Sequence, residues 1–317
     1  MTVVVGVLNK KGIAIAADSA VTNQVRTISA SGEISDEKEK IVNSGNKMLR
    51  ISDVIPVSAM IVNNANLLGV PWDVIIRWYR KQRGKTEFSS VEELVKDFLD
   101  FIPEQDFFIV NSFKKNWPYT TELVFSGYGT DQGYPQLIYL KINGVENSQL
   151  IFGKKDLVIH TISEENPSTI QYFGQIEIAA TLTENALENE EVNALYLRMS
   201  EIFTSTTKLL TKKGLIKTST PNFNFGGKFL SIMDNYHKDE RKRWIEVVQD
   251  YSLQQMAALA ENLINATELY QQITFEKEHV GGLIDLAVIT KVDGFQWLNR
   301  KSWYTPSRGG QYGKFGI

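Results

Sequence analysis

The chain has no cysteine among its 317 residues. This excludes disulfides, thiolate zinc sites and a cysteine nucleophile, so covalent chemistry has to run through oxygen or nitrogen. An excess of either charge is lacking too: 34 Lys and Arg face 37 Asp and Glu, a formal net charge of -3. Without a global basic field to gather nucleic acid or anionic lipid, a small or peptide-like partner fits better. Histidine is scarce, and His160, His237 and His279 have no metal-like spacing. They read as solvent-facing or hydrogen-bonded structural residues, and no metal is expected. Gly127-x-Gly129 and Gly226-Gly227 are not followed by the Lys-Ser/Thr of a phosphate loop, and no cofactor is expected. No apolar run reaches the roughly 20 residues that span a bilayer. The first residues lack the charged, apolar, small-residue order of a signal peptide, so a cytoplasmic location without a membrane partner is the expectation.

Apolar residues are plentiful, 43% of the chain, enough for a substantial core. Residues 2–8 and 12–17 read as a hairpin turned at Asn9-Lys10-Lys11-Gly12. Residues 29–40, polar and of mixed charge, read as an exposed loop or short flap. Strand character resumes at 47–51 and 56–62, and apolar spacing then predicts amphipathic helices over 72–81 and 91–102. Further strands are expected at 122–125, 135–142 and 156–162, with turns at Gly127-Tyr128-Gly129 and Asn143-Gly144. Residues 176–215 and 240–270 read as helical, the latter carrying an apolar stripe through Leu253, Met256, Ala257, Ala260, Leu263 and Ile264. A last strand pair is expected at 283–290 and 295–300. Strands, helices, strands, helices and a final hairpin suggest an α+β chain of two sheets with helices packed outside them. It reads as one domain over 1–302, with a helical elaboration near 188–243 and a Gly- and aromatic-rich tail at 303–317.

The chemistry is expected at the start of the chain. Methionine is generally trimmed before a small residue, so a mature chain would begin with Thr2, which carries both a hydroxyl and an α-amine. Nucleophile and base then share one residue, because an α-amine with a pKa of about 7.7 to 8.0 can accept the hydroxyl proton near neutrality. Thr2-Val3-Val4-Val5-Gly6-Val7 is followed by Gly12-Ile13-Ala14-Ile15-Ala16-Ala17-Asp18-Ser19-Ala20-Val21-Thr22. In these segments the chain resembles the proteasome β subunits and the related peptidases of bacterial two-component proteases. They start the mature chain with threonine and end the second strand in an Ala-Ala-Asp-Ser-x-x-Thr segment.

The resemblance implies the N-terminal-nucleophile (Ntn) hydrolase fold, a four-layer αββα sandwich of two mainly antiparallel sheets flanked by helices. It also implies Lys47 on the third strand beside the nucleophile, Asp18 as its partner, and Thr22 at the substrate site. A backbone oxyanion hole is implied near Val62 and Asn63, where the family usually has glycines. A nearby ammonium would lower the amine pKa and stabilise the forming alkoxide. The resemblance continues at 122–143 and at Val280-Gly281-Gly282. Before those glycines the family places a supporting aspartate and serine, where this chain has Lys277 and Val280, and Gln175 stands where another supporting serine is expected. Glu276 or Glu278 are alternative sources of the missing negative charge.

Three functions follow as expectations. The first is a threonine peptidase acting on peptide or unfolded-protein substrate in a homo-oligomeric ring, with room for an ATPase unfoldase as partner. The second is a catalytically silent assembly or binding subunit, and the third an amidase of small substrates. Large aromatics on the helix at 72–81, taken as surface-exposed, point the same way as the ring.

Overall fold

Val3–Asn9 and Gly12–Ala17 are buried along their whole length, which a strand achieves only when both faces of its sheet are covered. The computed structural model describes residues 2–28, 34–42, 45–112, 119–184, 189–215, 225–274 and 280–301. In chain order they form β1 (Val3–Asn9), β2 (Gly12–Ala17), β3 (Val21–Ile28), β4 (Ile34–Val42), β5 (Met48–Arg50), β6 (Val57–Asn63) and the short pair β7 (Asn66–Leu67) and β8 (Val70–Pro71). Helices α1 (Trp72–Arg83), α2 (Val91–Phe101) and α3 (Asp106–Ser112) follow. Next come β9 (Thr121–Gly127), β10 (Gln136–Ile142), the short pair β11 (Val145–Glu146) and β12 (Gln149–Leu150), β13 (Leu157–Thr161) and β14 (Ser168–Gly174). The chain continues with α4 (Glu177–Glu184), α5 (Asn189–Lys212), α6 (Phe225–Val248), α7 (Leu253–Ile273), β15 (Asp285–Thr290) and β16 (Gly294–Asn299).

Two five-stranded antiparallel sheets result, in the orders β14-β1-β2-β15-β16 and β13-β10-β9-β6-β5. Side-chain parity assigns every layer. Val4, Leu8, Ile13 and Ile15 of the first sheet share a core with Met60, Val62, Val124 and Leu137 of the second. The opposite parity of the first sheet, Val3, Val5, Ala14 and Ala16, packs on Met256, Ala260 and Leu263 of α7. The outer parity of the second sheet, Val57, Ala59, Leu123 and Phe125, packs on Trp72 and Tyr79 of α1 and Phe98 of α2. This is the four-layer αββα sandwich. Of the four edge strands, β14, β16, β13 and β5, it is β13 and β16 that carry exposed positions.

Four sequence readings change. The aromatics of α1 do not form a surface patch: Trp72 and Tyr79 are fully buried against the second sheet, and only Trp78 is exposed. Of residues 29–40, read as an exposed loop or short flap, 29–33 lie outside the described residues and 34–40 belong to strand β4, laddered to β3 with Arg26 opposite Glu37 and Asn23 opposite Lys40. Its polarity suits a two-stranded ribbon held by backbone hydrogen bonds rather than by a core. The helix read over 240–270 is two helices, because Ser252 and Gln255 form a capping box: Gln255 N–H donates to Ser252 Oγ at 3.2 Å and Ser252 N–H to Gln255 Oε1 at 2.9 Å. Strand β14, unread in the sequence, pairs with β1 along seven residues. The tail at 303–317 and residues 216–224 of the helical elaboration expected near 188–243 lie outside the described residues. Among the described residues, no helix is long and apolar enough to cross a membrane.

Candidate active site

Asp18 follows the last residue of β2, and its carboxylate turns back onto the start of β1. One oxygen, Oδ1, accepts from Val3 N–H at 2.9 Å and from Lys47 Nζ at 2.7 Å. The other, Oδ2, accepts from Ala20 N–H at 3.1 Å, while Asp18 N–H donates to Val3 O at 3.3 Å. Lys47 arrives on the residue before β5, held to β6 by Ile61 N–H donating to its carbonyl at 2.8 Å. Because Val3 N–H and the Lys47 ammonium share one oxygen, the ammonium is no further from the Thr2–Val3 peptide nitrogen than the sum of those two distances.

Both charges are out of water, with side-chain exposures of 6% for Lys47 and 0% for Asp18. Such a pair persists because the carboxylate is also saturated by backbone N–H groups. Burial pushes the Lys47 ammonium below its usual pKa. Asp18 opposes that shift, and the positive charge of Lys301 adds to it. A lysine so placed is readier to give up its proton than one in solvent.

Thr2 is 3% exposed. Its carbonyl accepts from Gln175 N–H at 2.9 Å. It lies against Gly174, whose φ of +88° is open to glycine and where a Cβ would overlap the Thr2 carbonyl oxygen. Val62 Cγ1 is 3.4 Å from the same Cβ position, which brings the end of β6 to the Thr2 end of β1. Asn63, the last residue of β6, takes φ +64°. The left-handed conformation is therefore reached here without glycine, in one of the residues that best tolerates it. Asn63 Nδ2 donates to Glu122 Oε1 at 2.8 Å, and burial lifts the Glu122 carboxyl above its usual range. Thr22 lies on β3 opposite Ile41, and its side chain is outside the described residues.

Thr2, Asp18, Lys47, Val62 and Asn63 thus converge on one end of the sandwich. Around them are groups that sequence reasoning did not single out. Gln271, on α7, donates to Gln175 and accepts from Val280 N–H at 3.0 Å, joining Gln175 to the segment before the paired glycines. Ser19 N–H donates to Gly281 O at 3.2 Å and Ser19 Oγ to Leu283 O at 2.7 Å, so that segment is pinned to the Asp18 turn. Asp285 and Lys301 form a second buried ion pair at 3.2 Å. A sequence signal existed for Asp285, an acid heading the otherwise apolar run Leu286-Ala287-Val288-Ile289. Glu276, Lys277, Glu278 and His279 lie outside the described residues. His237 Nδ1 hydrogen-bonds the Glu184 carbonyl at 3.0 Å. Among the described residues, no group of three or more His, Asp and Glu is arranged to hold a metal ion.

No protein-family model and no curated protein sequence matches this chain. Solved structures do. A Gly-1 mutant of Anbu from Hyphomicrobium sp. strain MC1 is similar at a TM-score of 0.44 and 10% identity, over 94% of this chain and 85% of that one. Anbu, described as an ancestral β-subunit, from Yersinia bercovieri is similar at a TM-score of 0.45 and 12% identity, over 95% of this chain and 88% of that one.

Proposed function

We propose that the chain is a threonine-type N-terminal-nucleophile hydrolase of the proteasome β-subunit kind, cleaving peptide bonds with Thr2 as nucleophile. The observation that carries this reading is the single Asp18 oxygen that binds both the Lys47 ammonium and the backbone N–H following Thr2. A cation of lowered proton affinity is thereby fixed beside the residue that supplies hydroxyl and amine. With Met1 removed, the Thr2 α-amine takes the hydroxyl proton as Oγ attacks the peptide carbonyl. The Lys47 charge disfavours a second cation on that amine and stabilises the oxyanion, and backbone N–H groups at Val62 and Asn63 are the proposed donors to it. The amine returns the proton to the leaving amine, and water then hydrolyses the threonine ester.

Intact-mass measurement before and after treatment with a β-lactone or epoxyketone tests both requirements at once. The expected result is a chain lacking Met1 that gains one adduct, lost in Thr2→Ala. A reactive preparation that retains Met1 would remove the mechanism. Lys277 and Val280, standing where the resembled family places its supporting aspartate and serine, favour a second reading, a catalytically silent assembly subunit, and an unlabelled parent protein supports that one.

Self-assembly belongs to the same proposal, as do peptide or unfolded-protein substrates. Its support is the apolar stripe of α5 formed by Leu195, Met199, Ile202 and Leu209, of which Ile202 is 65% and Leu209 52% exposed. Light scattering at micromolar concentration is expected to give a mass well above the 35.9 kDa monomer; a monomer alone removes the assembly.

A further inference from the structure

The Asp18–Lys47 pair is half of a larger buried group. β15 opens with Asp285 opposite Ala17, so the Asp285 and Asp18 carboxylates emerge at neighbouring strand ends of the first sheet. Lys301, just past β16, donates its backbone N–H to Asp285 Oδ1 at 3.1 Å, and its ammonium lies 3.2 Å from Asp285 Oδ2. Both side chains are almost wholly buried, 1% and 3% exposed. The same ammonium donates to the Gly45 carbonyl. Gly45 N–H in turn donates to Ser19 O at 3.0 Å, and a Cβ at Gly45 would overlap a methyl of Val21. Two residues ahead of Lys47, the chain is therefore held from one side by the neighbour of Asp18 and from the other by Lys301.

We infer that Asp285 and Lys301 are positioning residues of the Thr2–Asp18–Lys47 site: a second ion pair that fixes the Gly45 approach to Lys47 and keeps a second positive charge beside it. As a statement about catalysis, this rests on the hydrolase reading above. Among the described residues, the charged groups that act on Lys47 are Asp18 and Lys301, and Lys301 is acted on by Asp285 and Asp18. Two acids and two bases balance, and removing one leaves an uncompensated buried charge. Loss of Lys301 removes a repulsion, so Lys47 holds its proton to higher pH. Loss of Asp285 leaves the Lys301 charge drawing on Asp18, so Lys47 gives up its proton at lower pH. The pair thus sets the pH range in which the site is competent, and it makes Lys301, two residues past β16, part of the site.

The test is a pH titration of the side-chain NMR signals of isotopically labelled lysine in the full chain, with Lys47 assigned by its loss in Lys47→Arg. Lys301→Met should move the Lys47 midpoint upward and Asp285→Asn downward, with the double variant returning toward the parent. A purely structural role moves neither in opposed directions. Lys301→Arg keeps the charge and should stay near the parent. Where a neutral variant does not fold, the parent protein carries the test alone. Two interacting lysines each report both ionisations in two steps, and independent single steps at Lys47 and Lys301 overturn the inference. Unchanged midpoints in folded variants, or shifts of the same sign, overturn it as well. These readouts do not depend on Thr2 reactivity. Coupled titrations in a protein that no probe labels would reject the hydrolase and leave the charge coupling, while a labelled protein with uncoupled lysines would do the reverse.

Discussion

Lys47→Ala is expected to lower probe labelling and peptide turnover at least about 10²-fold, roughly 2.7 kcal/mol of barrier. The ammonium has two tasks in the proposed mechanism: it keeps the Thr2 amine neutral and it stabilises the developing oxyanion, and alanine performs neither. The substitution also leaves Asp18 buried, with Val3 N–H and Ala20 N–H still donating to it but no countercharge. Breaking a buried pair by removing one partner costs about 3–5 kcal/mol, so a lowered melting temperature is part of the expectation. Labelling is therefore compared at a temperature where the variant is folded. Lys47→Arg restores charge but brings a wide planar fork into a site where the side chain is 6% exposed, and activity should not return. Asp18→Asn keeps the shape and an oxygen acceptor for Val3 N–H, but removes the countercharge and should be impaired too. Full labelling of folded Lys47→Ala would sink the assignment.

Gly174→Ala should be the most damaging single-methyl change near the site, destabilising by about 2–4 kcal/mol. Two effects add. The backbone there has φ +88°, which a side chain opposes, and the new Cβ would overlap the Thr2 carbonyl oxygen. Relief requires β14 to move away from β1 at Val3↔Gly174, the first pair of their ladder. That movement also stretches the bond from Gln175 N–H to Thr2 O and displaces the nucleophile. Chemical denaturation and probe labelling should fall together. A variant as stable as the parent would mean that the Gly174–Thr2 approach is not tight in solution. A destabilised variant that labels at the parent's rate would uncouple this contact from the chemistry.

Much of the sandwich was legible because its signals are local. A hairpin declares itself by an apolar run, a polar turn and a second apolar run, as at Asn9-Lys10-Lys11-Gly12 and at Val292-Asp293-Gly294. Amphipathic spacing marked α1 and α2 for the same reason. Local polarity also misled. The charged stretch at 29–40 reads as an exposed loop or short flap, since nothing in its own residues announces the backbone ladder that 34–40 make to β3. The aromatics of α1 were assigned to the surface because spacing identifies one apolar face but not what lies opposite it, and the second sheet covers Trp72 and Tyr79.

By itself, then, the sequence determined the α+β class and most of the sheet strands and helices, and it offered Thr2 from its place behind Met1 and, through the family resemblance, Asp18 and Lys47 as candidates. The tertiary structure alone decided which distant groups join them. β14 meets β1 across more than 150 residues of chain, which puts Gly174 and Gln175 against Thr2. β15 and β16 carry Asp285 and Lys301 to the Asp18 turn, and α7 carries Gln271 to Gln175. Such contacts join residues that are local to nothing in the sequence. They exist because burying charges and backbone ends together at one edge of the sandwich requires partners, and the fold determines which residues are within reach.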